Sequence, residues 1–175
     1  MQPLFNAAVN MFDYNLKNTG FSRANAGLAG NLYCAVSGFV TISQNNYYSF
    51  YFSNPSTSVI TAQFDIVEAS TKQLVNANIL KDITSFTSTG TLTPCNFNPS
   101  FPDSSVISVQ IASNASTNPV TGGTSICAYI SDVPFNINYD GGITLAPGHN
   151  IAMSFQNKGA NGESAVNVMW WEFDP

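Results

Sequence analysis

Gly142-Ile143-Thr144-Leu145-Ala146-Pro147-Gly148 leads through a Pro-Gly turn into an apolar run at residues 150–155. A loop at residues 156–163 follows, and then Ala165-Val166-Asn167-Val168-Met169-Trp170-Trp171-Glu172-Phe173. Only Asp174 and Pro175 come after it. Apolar residues at alternate positions are the mark of a strand that buries one face. Two such runs separated by a polar loop predict a closing β-hairpin. Both tryptophans of the chain lie in its second arm. Neighbouring residues of a strand point to opposite sides of the sheet. One of Trp170 and Trp171 is therefore expected in the core, and the other faces outward or into a subunit contact.

Working backward, the period of two persists to residue 31. Leu32, Cys34, Val36, Val40 and Ile42 are expected to share a face, with Gly38 as a bend. Asn45-Asn46 marks a turn, residues 47–52 form a dense aromatic strand, and Asn54-Pro55 ends it. Ile60, Ala62, Phe64 and Ile66 alternate with Thr61, Gln63 and Asp65, which places Asp65 on a polar face. Further short strands are expected at 74–80, 89–93, 106–112, 125–130, 135–139 and 143–145; residues 81–86 read as a strand or a helical turn. Pro99 and Pro102 make 96–103 a loop, and 114–123 reads as another. About ten short strands at hairpin-like spacing predict an all-β fold, an antiparallel β-sandwich of jelly-roll type.

Residues 1–30 differ. Leu4, Ala8, Met11 and Phe12 would share one face of a short helix after Pro3, and Asn and Gly then break the pattern as far as Gly30. We read 1–30 as an N-terminal arm and 31–175 as the sandwich domain. Leu4, Phe5, Met11, Phe12 and Tyr14 would dock the arm on a neighbouring subunit or on its own domain.

A chain of 175 residues suits one domain. It buries about 70% of the surface exposed by its unfolded form, so no disulfide or metal is needed to hold it. Charged residues make up 9%, against an average of about 25%. Asn, Ser and Thr fill the polar positions instead. Such a surface is either covered by neighbouring subunits, since interface cores are poor in charge and rich in aromatics, or is a loop-rich β surface. The net charge is −5, and the five basic residues are scattered, which argues against nucleic acid as a partner. No apolar run approaches a membrane span, and no signal peptide is recognised at the start. Cys34, Cys95 and Cys127 lack CxxC spacing and read as small buried hydrophobes in a reducing compartment, one disulfide pair being the alternative.

Catalytic patterns are sparse. The single histidine, His149, sits in a Pro-Gly-His-Asn turn and reads as a solvated turn residue rather than a metal ligand or general base. No G-x-S-x-G elbow supports a triad. Asp65, Glu68, Asp132, Asp140, Glu163 and Glu172 are the acids a glycosidase would draw on, but none carries a flanking signature. No cofactor or metal site is predicted. Tyr47, Tyr48, Tyr51, Trp170 and Trp171 could stack on sugars, and Asn114-Ala115-Ser116 matches a glycosylation sequon.

In order along the chain, Gly30-Asn31-Leu32-Tyr33, Gly90-Thr91-Leu92-Thr93-Pro94-Cys95-Asn96-Phe97-Asn98, Leu145-Ala146-Pro147-Gly148 and the strand ending Trp170-Trp171-Glu172 resemble tailed-phage capsid decoration (cement) and head-fibre proteins with a jelly-roll domain. That resemblance implies a homotrimer without catalytic residues. It further implies a virion location on the capsid exterior after assembly in the host cytoplasm, with the major capsid protein as partner. On this expectation Leu4, Phe5, Met11, Phe12, Tyr14 and Trp171 are the candidate capsid or subunit contacts. The rival binding role is a receptor- or carbohydrate-binding fibre head that holds a host-surface glycan. The remaining rival is a hydrolase or cupin-like enzyme that depends on His149.

Overall fold

A computed structural model describes residues 23–174. In chain order they form α1 (Arg23–Leu28), β1 (Leu32–Val36), β2 (Val40–Ile42), β3 (Tyr47–Ser53), β4 (Thr61–Thr71), β5 (Val75–Lys81), β6 (Ser85–Phe86), β7 (Gly90–Leu92), β8 (Cys95–Asn96), β9 (Ser108–Ala115), β10 (Val120–Thr121), β11 (Thr124–Ser131), β12 (Phe135–Leu145), β13 (Asn150–Asn157) and β14 (Gly162–Phe173). The expected all-β sandwich is what forms. One sheet runs β12-β4-β14-β1-β8, with β2 paired to β14; the other runs β11-β5-β13-β3-β9-β7. All pairings are antiparallel.

The closing hairpin is not there. β13 pairs with β3 and β5 in the second sheet, whereas β14 pairs with β1, β4 and β2 in the first. Alternation identifies a strand but not its partner. Here the buried Asn157 decides the path: its amide donates to Ile42 O at 3.0 Å and Ala160 O at 2.8 Å, and its Oδ1 accepts from Gly159 N at 2.9 Å. These bonds arch the chain from one sheet to the other. The chain also changes sheet from β3 to β4, β4 to β5, β11 to β12 and β12 to β13.

The core between the sheets is aromatic. Trp170 is fully buried, edge-on to Phe52 at 5.6 Å and stacked on Tyr33 at 6.2 Å. Phe50, Phe52, Phe64 and Met153 are equally buried around it. On β1 the core face is Tyr33 and Ala35, not Leu32 and Cys34 as the periodicity suggested. Leu32 lies on the outer face, where Trp171 and Ala26 cover it, so β1 is buried on both sides and its alternation carries no direction. On β4 the register against β14 slips between Met169↔Ile66 and Trp170↔Phe64. Asp65 is the extra residue, and beyond it Val67 and Ala69 rather than Ile66 face the core.

Residues 135–145 form one strand, not two, because Asp140 (φ 47°) and Gly141 (φ 76°) make a bulge within β12 instead of a reversal. One helix that the sequence reading did not anticipate is present among the described residues. It lies at Arg23–Leu28 despite Asn25 and Gly27, held by Ala26 against Trp171 and Leu32; tertiary packing outweighs weak helix propensity there. The last part of the expected arm thus belongs to the domain. The helix expected after Pro3, with Leu4, Phe5, Met11, Phe12 and Tyr14, lies outside the described residues.

Gly141 is required twice over. A Cβ there would stand 2.6 Å from the Trp171 ring, at a backbone angle that side chains resist. Gly38 shares the left-handed backbone (φ 66°) but opens to empty space. Gly141→Ala should therefore cost about 1–3 kcal/mol more than Gly38→Ala. Urea denaturation measures both, and equal costs would contradict the close packing of Trp171.

Candidate binding surfaces

The segment between β5 and β11 wraps one side of the sandwich. It adds β9 and β7 beyond β3 in one sheet and β8 beyond β1 in the other. The opposite side ends on β11 and β12, which pair inward with β5 and β4 alone among the described residues. Four core-facing side chains of the end strands are only half-buried, Cys127, Tyr129, Phe135 and Tyr139, whereas Ile143 and Leu145 farther along β12 are buried. Tyr129 and Tyr139 join the two sheets through their hydroxyls, 3.2 Å apart. Burial, then the Tyr129 hydrogen bond, pushes the Tyr139 phenol well above its ordinary range. Outward, Ile130 (74% exposed), Val133 (58%) and Ile126 (38%) line this side, and no charged residue occurs in β11.

A second surface is a cleft of about 480 Å³ on the outer face of the β11-β5-β13-β3 sheet. Strand register builds it. Ala128, Asn78, Ser154 and Ser49 lie in one cross-strand row of small side chains, which forms a trough. Ile130, Asn76, Gln156 and Tyr47 form the wall on one side. On the other, Leu80 and Ala152 back onto Tyr51, which stacks on Phe86 at 5.4 Å. Ser49 and Ser154 bond to each other at 2.9 Å in the floor, and Ser125 donates to Asn78 Oδ1 at 2.5 Å. No lining residue is charged. Such a wall offers amide donors and acceptors with aromatic surface, and suits a neutral, hydroxyl-rich ligand.

The sequence-predicted aromatics divide accordingly. Tyr47 lines the cleft and Tyr51 supports its edge, while Tyr48 and Trp170 are buried in the core. Trp171 does not stand open to a neighbour: it is 5% exposed, beneath Ala26 and Leu32, with Nε1 donating to Gln63 Oε1 at 2.9 Å. The surface expected to await a subunit there is occupied by the chain's own helix. Asn114 of the sequon accepts from Ser43 N at 2.8 Å and from Asn46 Nδ2 at 3.0 Å, so its side chain already braces a loop.

Of the acids, Asp65 and Asp140 line one cavity with Arg23 and Trp171, and the rest are apart from them. Asp65 is buried against Arg23, whose guanidinium is raised above its usual range by that hydrogen bond. Glu172, also buried, accepts from Trp170 Nε1 at 3.1 Å, from Val106 N at 3.2 Å and from Ser105. Glu68 accepts from Asn136 Nδ2 at 3.1 Å. Asp132, Asp140 and Glu163 are exposed. The buttress role of Glu172 was missed from sequence, although its i, i+2 spacing from Trp170 places both on one face. No cluster of three or more His, Cys, Asp or Glu fit to hold a metal occurs among the described residues. No helix among them is long and apolar enough to cross a membrane.

His149 lies in the exposed turn expected of it, with Nδ1 2.8 Å from Asp82 Oδ1. Both side chains are more than half exposed, so the pair contributes little. His149→Ala should shift unfolding by less than about 0.5 kcal/mol. A larger loss in calorimetry would show that the turn depends on the pair.

Comparison with known families, curated proteins and solved structures returned no match.

Proposed function

We propose that this chain is a non-enzymatic structural protein of a virus particle, a capsid decoration protein that acts as a homotrimer on the outer shell. One feature carries the reading: a sandwich sealed on one side by its own 82–123 segment and open on the other, where the β11 edge has no charged residue and Ile126, Ile130 and Val133 are exposed. Exposed strand edges invite pairing, and soluble proteins usually blunt them with charge, Pro or a bulge. A bulge occurs in β11 at Ser125/Cys127, but the remaining edge carries neither charge nor Pro.

The occupant that fits this side is a second copy of the chain. Copies that each carry a net charge of −5 repel one another least along β11, which has no charged residue. The strand order β12-β4-β14-β1 facing β11-β5-β13-β3, with the chain crossing between sheets along β3-β4-β5 and β11-β12-β13-β14, supports the jelly-roll reading. The major capsid protein is the proposed partner of the assembled trimer. Residues 1–15, with Leu4, Phe5, Met11, Phe12 and Tyr14, are the proposed tether. The mechanism is cementing, in which apolar surface buried across neighbouring shell subunits resists outward pressure. Deleting 1–15 should strip the protein from particles in a density gradient while its circular dichroism stays unchanged. Undiminished occupancy on particles would overturn the tether.

The cleft favours a second reading, a glycan-binding head. Its neutral amides and Tyr47 suit stacking and hydrogen bonding to a sugar. On that reading a glycan array gives specific binding that Asn78→Ala weakens about tenfold, as expected for about 1–1.5 kcal/mol of hydrogen bonding. An array with no bound glycan removes it.

A further inference from the structure

Cys34 lies in β1 and Cys95 in β8, and they are direct cross-strand partners in the antiparallel register. Directly opposed residues of an antiparallel pair project to the same face of the sheet. The type of pairing follows from the next rung but one. Phe97 N donates to Leu32 O at 2.9 Å, so Leu32 and Phe97 are a hydrogen-bonded pair. Pair types alternate along the ladder. Tyr33↔Asn96 is then non-hydrogen-bonded and Cys34↔Cys95 hydrogen-bonded. Opposed residues of that kind have Cα atoms about 5.5 Å apart, within the span a disulfide bridges.

The two thiols differ in access. Cys34 is buried, and desolvation pushes its thiol up to about 11, although the Cys95 backbone hydrogen-bonds it. Cys95 is exposed. Cys127 sits on β11 in the other sheet, away from both.

We propose that Cys34 and Cys95 form an inducible disulfide that latches the 93–107 loop to β1. The co-reactant is a small-molecule disulfide. The exposed Cys95 thiolate attacks one of its sulfurs, forms a mixed disulfide and releases one small thiol. Cys34, deprotonated, then attacks the Cys95 sulfur and expels the second small thiol. Two protein thiols are oxidised, one external disulfide is reduced to two thiols, and no other group is needed.

The bond would reinforce a weak attachment. β8 has only two residues. Side-chain bonds also hold the loop, from Asn96 Nδ2 to Gly30 O at 2.6 Å and from Asn98 Nδ2 to Gly27 O at 3.1 Å. The Phe101 ring seats against Gly30, where a Cβ would come within 2.2 Å. Oxidation would thus lock the corner between α1 and β1 onto the loop, while a reducing compartment leaves it open.

The test uses the full chain incubated with glutathione disulfide. The expected product has lost two hydrogens, retains no glutathione, and gives a Cys34–Cys95 peptide on mapping. Its Tm should rise on the order of 5–15 °C and return on treatment with dithiothreitol. Cys34→Ser should instead trap glutathione stably on Cys95. Wild-type protein that keeps glutathione on Cys95, or that links either residue to Cys127, overturns the proposal. The wild-type mapping decides the matter even if the variant folds poorly.

Discussion

Everything in this fold depends on β14 being buried on both faces at Trp170–Glu172. A strand alternates its side chains, so adjacent tryptophans must serve opposite layers. Trp170 fills the space between the sheets against Phe52, Phe64 and Tyr33. Trp171 points the other way and needs a separate cover, which α1, Leu32 and the glycine bulge of β12 supply. The strand is also flanked by β1 and β4, so it has no free edge. Glu172 then anchors the far loop by accepting from Val106 N and Ser105. One strand thereby positions the core, the helix and the start of β9.

The same economy leaves the molecule lopsided. The 82–123 segment contributes strands to both sheets on the β1–β3 side and none beyond β11 or β12. Half-buried tyrosines and a β11 edge without charge remain there. An exposed strand edge without charge is a liability for a free monomer in solution, because nothing on it discourages pairing with another copy. It becomes an asset for a protein whose surface is meant to be covered. The proposal of a shell component rests on that asymmetry.

The sequence made the strands legible and their partners illegible. Periodicity found β3, β4, β13 and β14 because each buries large apolar residues at alternate positions. It could not tell that β13 and β14 belong to different sheets, because the deciding residue is Asn157, a polar side chain that binds Ile42 of β2 and Gly159 and Ala160 of the following loop. It misread β1 because strands buried on both faces lose their alternation. It placed Asp65 on a polar face, whereas a bulge turned that residue toward Arg23, forty-two positions away. The cleft was half legible: Tyr47 was a candidate, but Asn76, Asn78 and Gln156 meet it only through cross-strand register.

The central claim is that the β11–β12 side is where copies of this chain meet. Native mass spectrometry of the full chain, beside Ile130→Glu, addresses it directly, because Ile130 is the most exposed apolar side chain on β11. The account predicts a wild-type trimer that Ile130→Glu disperses to folded monomers. A wild-type chain that stays monomeric as concentration rises, or a trimer indifferent to Ile130→Glu, would contradict it.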